Sequence, residues 1–341
     1  MADGDASALA ARVRRGAGLF RLAGRGLLAV EGGDRVRWLD GMVSNDVAQL
    51  EPGRERSGCY AALLTPHGRI VSDLHVLARG DAFWLELAAA AVAPVLERLE
   101  KLVISEDVRL ADATHSSARL ALEGPAAPAV LARALGEDPG LAADSIRDAE
   151  LGAVPVAIAA FGWSGESAFQ LFVAPESREL AARALCEAGA VLGAEAGFVE
   201  ADASVLEILR VEAGVPVYGA ELATDVLPAE AGIIERAVSF TKGCYTGQEI
   251  VARMDARGRV AHRLVGLRFA GASPPAVGSA LSLRDADGRI GEVTSTARSQ
   301  DFGVIGLGFV RLPHDVPGTE VSAGGEAARV IALPFAGSPA A

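Results

Sequence analysis

The sequence is poor in lysine, cysteine and aromatic side chains, and each shortage narrows what the chain can be. Lys101 and Lys242 are its two lysines, so its positive charge is carried almost wholly by arginine. The net charge of −12 provides no basic surface for a phosphate backbone, and direct nucleic-acid binding is not expected. The three cysteines, Cys59, Cys186 and Cys244, are far apart, with no CxxC pair and no Cys/His cluster. That pattern argues against a zinc site, a self-contained iron–sulfur site or a disulfide framework, and for a reducing compartment. His67, His75, His115, His262 and His314 are scattered without metal-ligand spacing and are read as structural or surface residues, so no metal site is expected. Aromatics make up 5%, which leaves Leu, Val and Ala to fill the core. No apolar run approaches the ~18 residues that would span a membrane. The first residues, MADGDASALAARVRRGAG, lack the apolar stretch of a secretory signal. The expectation is a cytoplasmic protein without membrane attachment.

What is present is a 341-residue chain that is 50% hydrophobic and 22% charged, suited to two or three subdomains. Residues 1–18, rich in Ala, Asp, Gly and Arg, read as a flexible arm. Residues 19–260 alternate short strands with helices in two α+β subdomains. GLFRLAGRGLLAVEG holds two apolar runs around Gly24 and Gly26 and suggests a pair of strands. Asp34 is placed to cap a helix in DRVRWLDGMVSNDV, where Trp38 is expected in the core. CYAALLT and GRIVSDLHVLA suggest a hairpin, AFWLELA a strand, and AAVAPVLERLEKLV an amphipathic helix. ARLALEG, VPVAIAAFG and AFQLFVA read as strands; APAVLARAL, SRELAARALCEAGAVLG and ASVLEILRVEAG read as helices, the last ending at Gly214. Cys186, within the second of these, reads as a small buried hydrophobe. Residues 261–341 change texture to short apolar runs separated by Gly, Pro and Asp, the pattern of a small β-barrel or sandwich.

The chemically densest stretch is Lys242-Gly243-Cys244-Tyr245-Thr246-Gly247-Gln248-Glu249. Two glycines permit a tight turn that exposes the cysteine. A neighbouring lysine favours its thiolate, for nucleophilic attack or metal ligation. Gln248 and Glu249 are placed to open a following helix, with Glu249 near its positive end. The octet reads equally well as a glycine-bounded turn carrying an incidental cysteine.

The octet resembles the KGCYxGQE signature of the YgfZ/IBA57 family of folate-binding proteins, relatives of the glycine-cleavage T protein. The resemblance covers roughly Gly18 to the C-terminus. GLLAVEGGDRVRWLDGMVSNDV, with Asn45-Asp46-Val47, is similar to the opening of this superfamily. LTPHGRIVSDLHV resembles a segment that in aminomethyltransferases ends in paired aspartates, here Ser72-Asp73. FGWSGESAFQ is similar to the GYTGExGFE motif, and LRVEAGVPVYGAEL followed by PAEAG matches RxEAG…YGxEL…PxEAG.

The resemblance implies an α+β fold: an aminomethyltransferase-like, mixed α/β folate-binding body with a small C-terminal β-barrel. It implies tetrahydrofolate or a derivative as cofactor. Glu166 matches the glutamate that accepts paired hydrogen bonds from the pterin edge, and is otherwise a solvated turn residue. Trp163 is an aromatic wall for the pterin or a core tryptophan. Arg210 binds an anionic or carbonyl part of the ligand, or makes an ion pair with Glu207 or Glu212. Asn45 bonds the pterin bridge or caps a turn. Asp73 stands where a carboxylate lies near the folate nitrogens that accept a one-carbon unit, although Ser72 competes for that place.

Three functions follow from this set. The first is a folate-binding accessory protein for iron–sulfur (4Fe–4S) cluster assembly or repair, with iron–sulfur client or assembly proteins as partners. It would support cluster-dependent tRNA-modifying enzymes indirectly, and Cys244 would be the working group, with Lys242 and Asp73 as further catalytic candidates. One cysteine cannot hold a cluster alone, so any cluster would be shared. The second is a tetrahydrofolate-dependent aminomethyl or methyl transferase, and the third a folate-independent scaffold.

Overall fold

The computed structural model describes residues 3–191, 197–257, 260–284 and 288–335. The expected helical residues Leu192 and Gly193, and residues 285–287 and 336–341 of the expected β domain, lie outside them. The helices are α1 (Asp3–Arg15), α2 (Arg35–Met42), α3 (Ala89–Glu100), α4 (Ala127–Leu135), α5 (Arg178–Val191), α6 (Ala203–Ala213), α7 (Ile234–Ala237) and α8 (Gln248–Arg257). The strands of the body are β1 (Gly18–Leu22), β2 (Arg25–Glu31), β3 (Gly58–Leu64), β4 (Ile70–Arg79), β5 (Ala82–Ala88), β6 (Arg109–Asp112), β7 (Ala118–Glu123), β8 (Ile146–Leu151), β9 (Val154–Ala159), β10 (Ala168–Val173) and β11 (Val199–Ala201). Those of the C-terminal part are β12 (His262–Phe269), β13 (Ala280–Leu283), β14 (Arg289–Ser299), β15 (Gly303–Arg311), β16 (Glu320–Ala323) and β17 (Glu326–Ile331).

Side chains alternate across a strand, so a sheet covered on both faces needs two different partners. The five-stranded sheet, in order β3-β4-β5-β2-β6, is antiparallel throughout. Its outer face places Leu28, Val30, Leu74, Val76, Leu85 and Leu87 against Trp38 and Leu39 of α2 and Val92, Val95 and Leu99 of α3. The six-stranded sheet, in order β11-β1-β7-β10-β9-β8, covers its outer face with α4 and α5 through Leu120, Leu122, Ile158 and Leu171. The two inner faces meet: Leu27 and Leu77 of the first sheet pack with Ala157, Ala159 and Phe172 of the second. Ser57 stitches the sheets together, donating its hydroxyl to the Ile146 carbonyl and accepting the Ile146 N–H, each at 2.9 Å.

The six C-terminal strands close into an antiparallel barrel, β12-β15-β14-β13-β16-β17, filled by Leu267, Leu281, Val293, Val310, Val321 and Val330. Its outer residues Leu264, Ala297, Ile305 and Leu307 join α1 and α6 in a further core, which Phe335 completes. The barrel is therefore seated on the body through two helices.

Three expectations are corrected. Residues 3–15 form α1 rather than a flexible arm, because Ala6, Ala10 and Val13 recur at helical spacing and bury against α6 and the barrel. The two runs around Gly24 and Gly26 are strands, but β1 and β2 lie in different sheets. Gly26 packs so closely on the α3 residue Val92 that a Cβ there would sit 2.2 Å from its methyl group. Asp34 stands at the N-cap of α2, its carbonyl accepting the Trp38 N–H, but its side chain makes no cap bond; the carboxylate instead accepts the Asp107 N–H and pairs with Arg37. Strands β6, β8 and β11 had no distinct signal in the sequence reading.

Candidate functional site

The space between the two sheets is lined by charged residues that elsewhere in the core would be apolar. Asp73 of β4 is buried, and Tyr60 of β3 donates its hydroxyl to Asp73 Oδ2 at 3.2 Å. His75, two residues along β4, stacks on Phe161 with ring centres 3.6 Å apart. Its Nδ1 lies 3.1 Å from Asp144 Oδ1, off the line a hydrogen bond requires. Arg236 of α7 lies over the Tyr60 ring at 4.5 Å and within 3.5 Å of Asp144.

Deeper in, Arg25 of β2 grips Glu86 of β5 through two bonds, Nε to Oε1 at 2.6 Å and Nη2 to Oε2 at 2.8 Å. Arg119 of β7 reaches across from the other sheet to Glu86 Oε1 at 3.2 Å. Each guanidinium covers an aromatic ring: Arg25 lies 4.8 Å from the centre of Trp163, and Arg119 3.8 Å from that of Phe172. Trp163 meets Phe161 edge-on at 6.1 Å.

Burial and neighbouring charge push these groups in opposite directions. Burial raises the Asp73 carboxyl above its usual range, although Arg25 and His75 oppose the rise. Burial would raise Glu86 too, but Arg25 and Arg119 outweigh it and hold Glu86 below its usual value. Burial lowers Arg119 to about 10 and lowers His75 below its usual value. Tyr60 is raised by burial and by Asp73, so its hydroxyl keeps its proton.

Two polar atoms here are buried without a partner, Nε and Nη1 of Arg119. Such atoms are costly unless a ligand or water satisfies them. Unsatisfied donors and a carboxyl in an aromatic setting suit a heterocycle with hydrogen-bonding edges, which is the chemistry of a pterin. The residues fit the folate that the resemblance implies.

The other named residues are distributed around this cluster. Asn45 donates its amide to the Tyr60 carbonyl at 2.8 Å and the Arg236 carbonyl at 3.1 Å, bracing the Tyr60–Arg236 edge from behind. Ser72 is fully buried and donates its hydroxyl to the Asp73 carbonyl at 2.8 Å, so it is Asp73 that joins Tyr60. Glu166, about one-third exposed, pairs with Arg14 of α1 at 3.1 Å. The buried carboxylate that accepts the backbone N–H groups of Trp163 and Ser164 is Glu123. Arg210 spends its guanidinium within the protein, on Glu207, Glu221, the Val215 carbonyl and the Ser295 hydroxyl of β14. It ties α6 to the barrel.

The octet divides into buried and exposed parts. The Lys242 side chain is 1% exposed and its ammonium is held by Asp40 and three backbone carbonyls, so it does not stand as a free cation beside the thiol. Tyr245 is buried, with burial raising its hydroxyl to about 12. Gly247 has φ +86° and lies against Thr65 and Gly68, an approach that only glycine permits. Gln248 and Glu249 open α8. Cys244 is exposed. Of the other thiols, burial raises Cys59 to about 12, and burial with Glu200 raises Cys186 to about 11, which keeps both protonated.

The sequence reading named Asp73, Trp163 and Asn45 but missed Arg25, Tyr60, Glu86, Arg119, Asp144 and Arg236, and set His75 aside. A usable signal existed for two of them. Glu86 in AFWLELA and Arg119 in ARLALE are single charges inside apolar strand runs, and a buried charge calls for a partner. Among the described residues, no group of three or more His, Cys, Asp or Glu could hold a metal ion, and no helix is long and apolar enough to cross a membrane.

Comparison with known proteins gives a consistent result. The family described as GCVT N-terminal domain matches residues 5–242. A Streptomyces coelicolor protein named Aminomethyltransferase is 35% identical over 337 residues, covering 95% of this chain and 87% of its own. A protein of the same name from Halalkalibacterium halodurans is 31% identical over 332 residues, with the same coverage of both chains. The crystal structure of glycine cleavage system aminomethyltransferase T from Bartonella henselae superposes with a TM-score of 0.81 and 26% identity. It covers 97% of this chain and 89% of that one.

Proposed function

Because the chain belongs to the GCVT N-terminal domain family, we propose that it binds a reduced folate between its two sheets and acts in tetrahydrofolate-dependent aminomethyl or methyl transfer. The observation that carries this reading is the buried Asp73 carboxyl, hydrogen-bonded by Tyr60 and flanked by aromatic walls. The name Aminomethyltransferase, carried by relatives that match 95% of the chain, supports the same reaction class.

Bound tetrahydrofolate supplies the ring nitrogens on which a one-carbon unit is carried. The chain's own groups then have separable tasks. Asp73 would face those nitrogens with a carboxyl that burial raises above its usual range, and Tyr60 fixes its orientation. Trp163 and Phe161, buried edge-to-face against each other, keep water from this side of the cluster. The unpaired N–H groups of Arg119 suit a carbonyl oxygen of the ligand. Asn45 holds the Tyr60 strand in place, and Glu166, still partly open, suits a donor edge of the ligand. The test is transfer from an aminomethylated lipoyl carrier to tetrahydrofolate. Turnover that falls ~100-fold or more in Asp73→Asn supports the assignment; no turnover with any one-carbon donor rejects it.

A second reading rests on a specific observation, the exposed Cys244 in a glycine-bounded turn. It is the accessory role of the YgfZ/IBA57 type: a cytoplasmic folate-binding factor that maintains 4Fe–4S clusters of client proteins and, through them, tRNA modification. Activity of 4Fe–4S enzymes in cells carrying only Cys244→Ala, with and without oxidative stress, separates the two. A loss restored by the wild-type chain favours the accessory role.

A further inference from the structure

Asp73 has a cation within its electrostatic reach, Arg25, and yet is not paired with it. Register explains why. On the inner face His75 stands directly opposite Glu86, and Asp73 is the diagonal neighbour one step along the same face of β4. On the far side of β5, Glu86 faces Leu27 of β2, with Arg25 two residues away on the same face. Glu86 thus lies between the strand of Arg25 and the strand of Asp73. It takes Nε and Nη2 of Arg25 in a bidentate bond that fixes the plane of the guanidinium, and Arg119 closes on it from the opposite sheet. Glu86 is fully buried and Arg119 nearly so, while Arg25 keeps a small exposed edge.

We infer that Glu86 is a positioning residue whose task is to hold Arg25 away from Asp73, so that the Asp73 carboxyl is left for the ligand instead of being consumed in an internal salt bridge. Glu86 on β5 thus acts on Asp73 of β4 through Arg25. The ligand consequence follows from hydrogen-bond chemistry. A carboxyl without a cationic partner keeps its oxygens free to accept from the ligand, and offers a donor as well whenever it holds a proton, which suits a heterocyclic edge rich in N–H groups. A carboxylate locked to a guanidinium would offer no donor and would keep only its remaining lone pairs as acceptors. This inference deepens the folate reading, but its test needs no folate.

The groups facing Asp73 are Tyr60 on β3, His75 on β4, Glu86 on β5 and Arg25 on β2. Behind them stand Arg119 on β7, Asp144 before β8 and Arg236 on α7. The experiment titrates carbon-13-labelled aspartate carboxyls by nuclear magnetic resonance in the ligand-free, full-length protein, with the Asp73 signal identified by its loss in Asp73→Asn. In Glu86→Gln the freed Arg25 turns to Asp73, and its midpoint falls by ~1–3 pH units. In Arg25→Met, where Arg119 still partners Glu86, the midpoint rises above wild type. In the double variant Arg25→Met/Glu86→Gln the fall seen in Glu86→Gln disappears. An unchanged midpoint in Glu86→Gln, or one equally low in the double variant, overturns the inference. Should Glu86→Gln not fold, Arg25→Met decides alone: a midpoint that does not rise overturns it. A protein that shows these shifts and binds no folate would reject the functional reading and leave this one standing.

Discussion

Lys242 Nζ lies 2.9 Å from Asp40 Oδ1, enclosed by the backbone carbonyls of Asp40, Val43 and Asn45 at 2.6, 3.0 and 2.7 Å. These carbonyls belong to the C-terminal end of α2 and the turn after it, where a cation is favoured by the helix dipole. The contact fastens the octet loop to the segment that carries Asn45, and so to the back of the Tyr60–Arg236 edge.

Lys242→Met is therefore expected to act on stability more than on any thiol chemistry. It takes one donor from the partly buried Asp40 carboxylate, which keeps the Val47 N–H, and leaves three carbonyls without the ammonium, at a cost of ~1–3 kcal/mol. Urea denaturation measures this directly. A loss under ~1 kcal/mol would mean that the ammonium is not the fastener described.

Arg14 of α1 makes four bonds to the rest of the body: to Glu212, to Glu166 and to the Ser164 and Leu209 carbonyls. Arg14→Ala should cost ~3 kcal/mol or more, since it strips the partner from Glu212, a nearly buried carboxylate. Deletion of residues 1–15 should lower the melting temperature further by uncovering Phe20 and the α6 face. A deletion variant as stable as the full chain would restore the flexible-arm reading.

His75 gives stability a pH dependence of predictable sign. Burial lowers its pKa below the ordinary 6.5, so the unfolded chain binds a proton that the folded chain resists. Its contribution is complete above pH ~6.5, declines as pH falls below that value, and levels off beneath the folded pKa. Comparing chemical denaturation of wild type and His75→Phe between pH 8 and 5 isolates the effect. Parallel curves through that range would show that His75 does not titrate between the states.

Much of the fold was legible because burial patterns are local. The β3–β4 hairpin, the apolar stripe of α3 and the αL ending of α6 at Gly214 each follow from residues close in sequence. The partition of β1 and β2 into separate sheets was not, since each pairs with strands some 60 to 180 residues away. Helix α1 was misread for a related reason: its small apolar residues bury only because α6 and the barrel come to meet them. In the site, Asp73 and Trp163 were visible through motif resemblance. The Arg25–Glu86–Arg119 triad comes from three separate strands in two sheets, and no window of sequence displays it.

Cys244 is exposed and takes no part in the inter-sheet cluster. Cys244→Ser should change stability by less than ~0.5 kcal/mol and leave folate affinity unaltered. Measuring both in one preparation separates the thiol from the folate site. A marked loss of folate affinity would show that the octet loop reaches the ligand.

The most direct test of the account is calorimetric titration of the wild-type chain and of Asp73→Asn with tetrahydrofolate at neutral pH under reducing conditions. The account predicts saturable binding by the wild type, weakened ~10–100-fold in Asp73→Asn, the loss expected when a hydrogen bond to a charged or proton-holding group is removed from a buried site. Absence of binding by a folded wild-type protein, or equal affinity in the two, would contradict a folate site between the sheets.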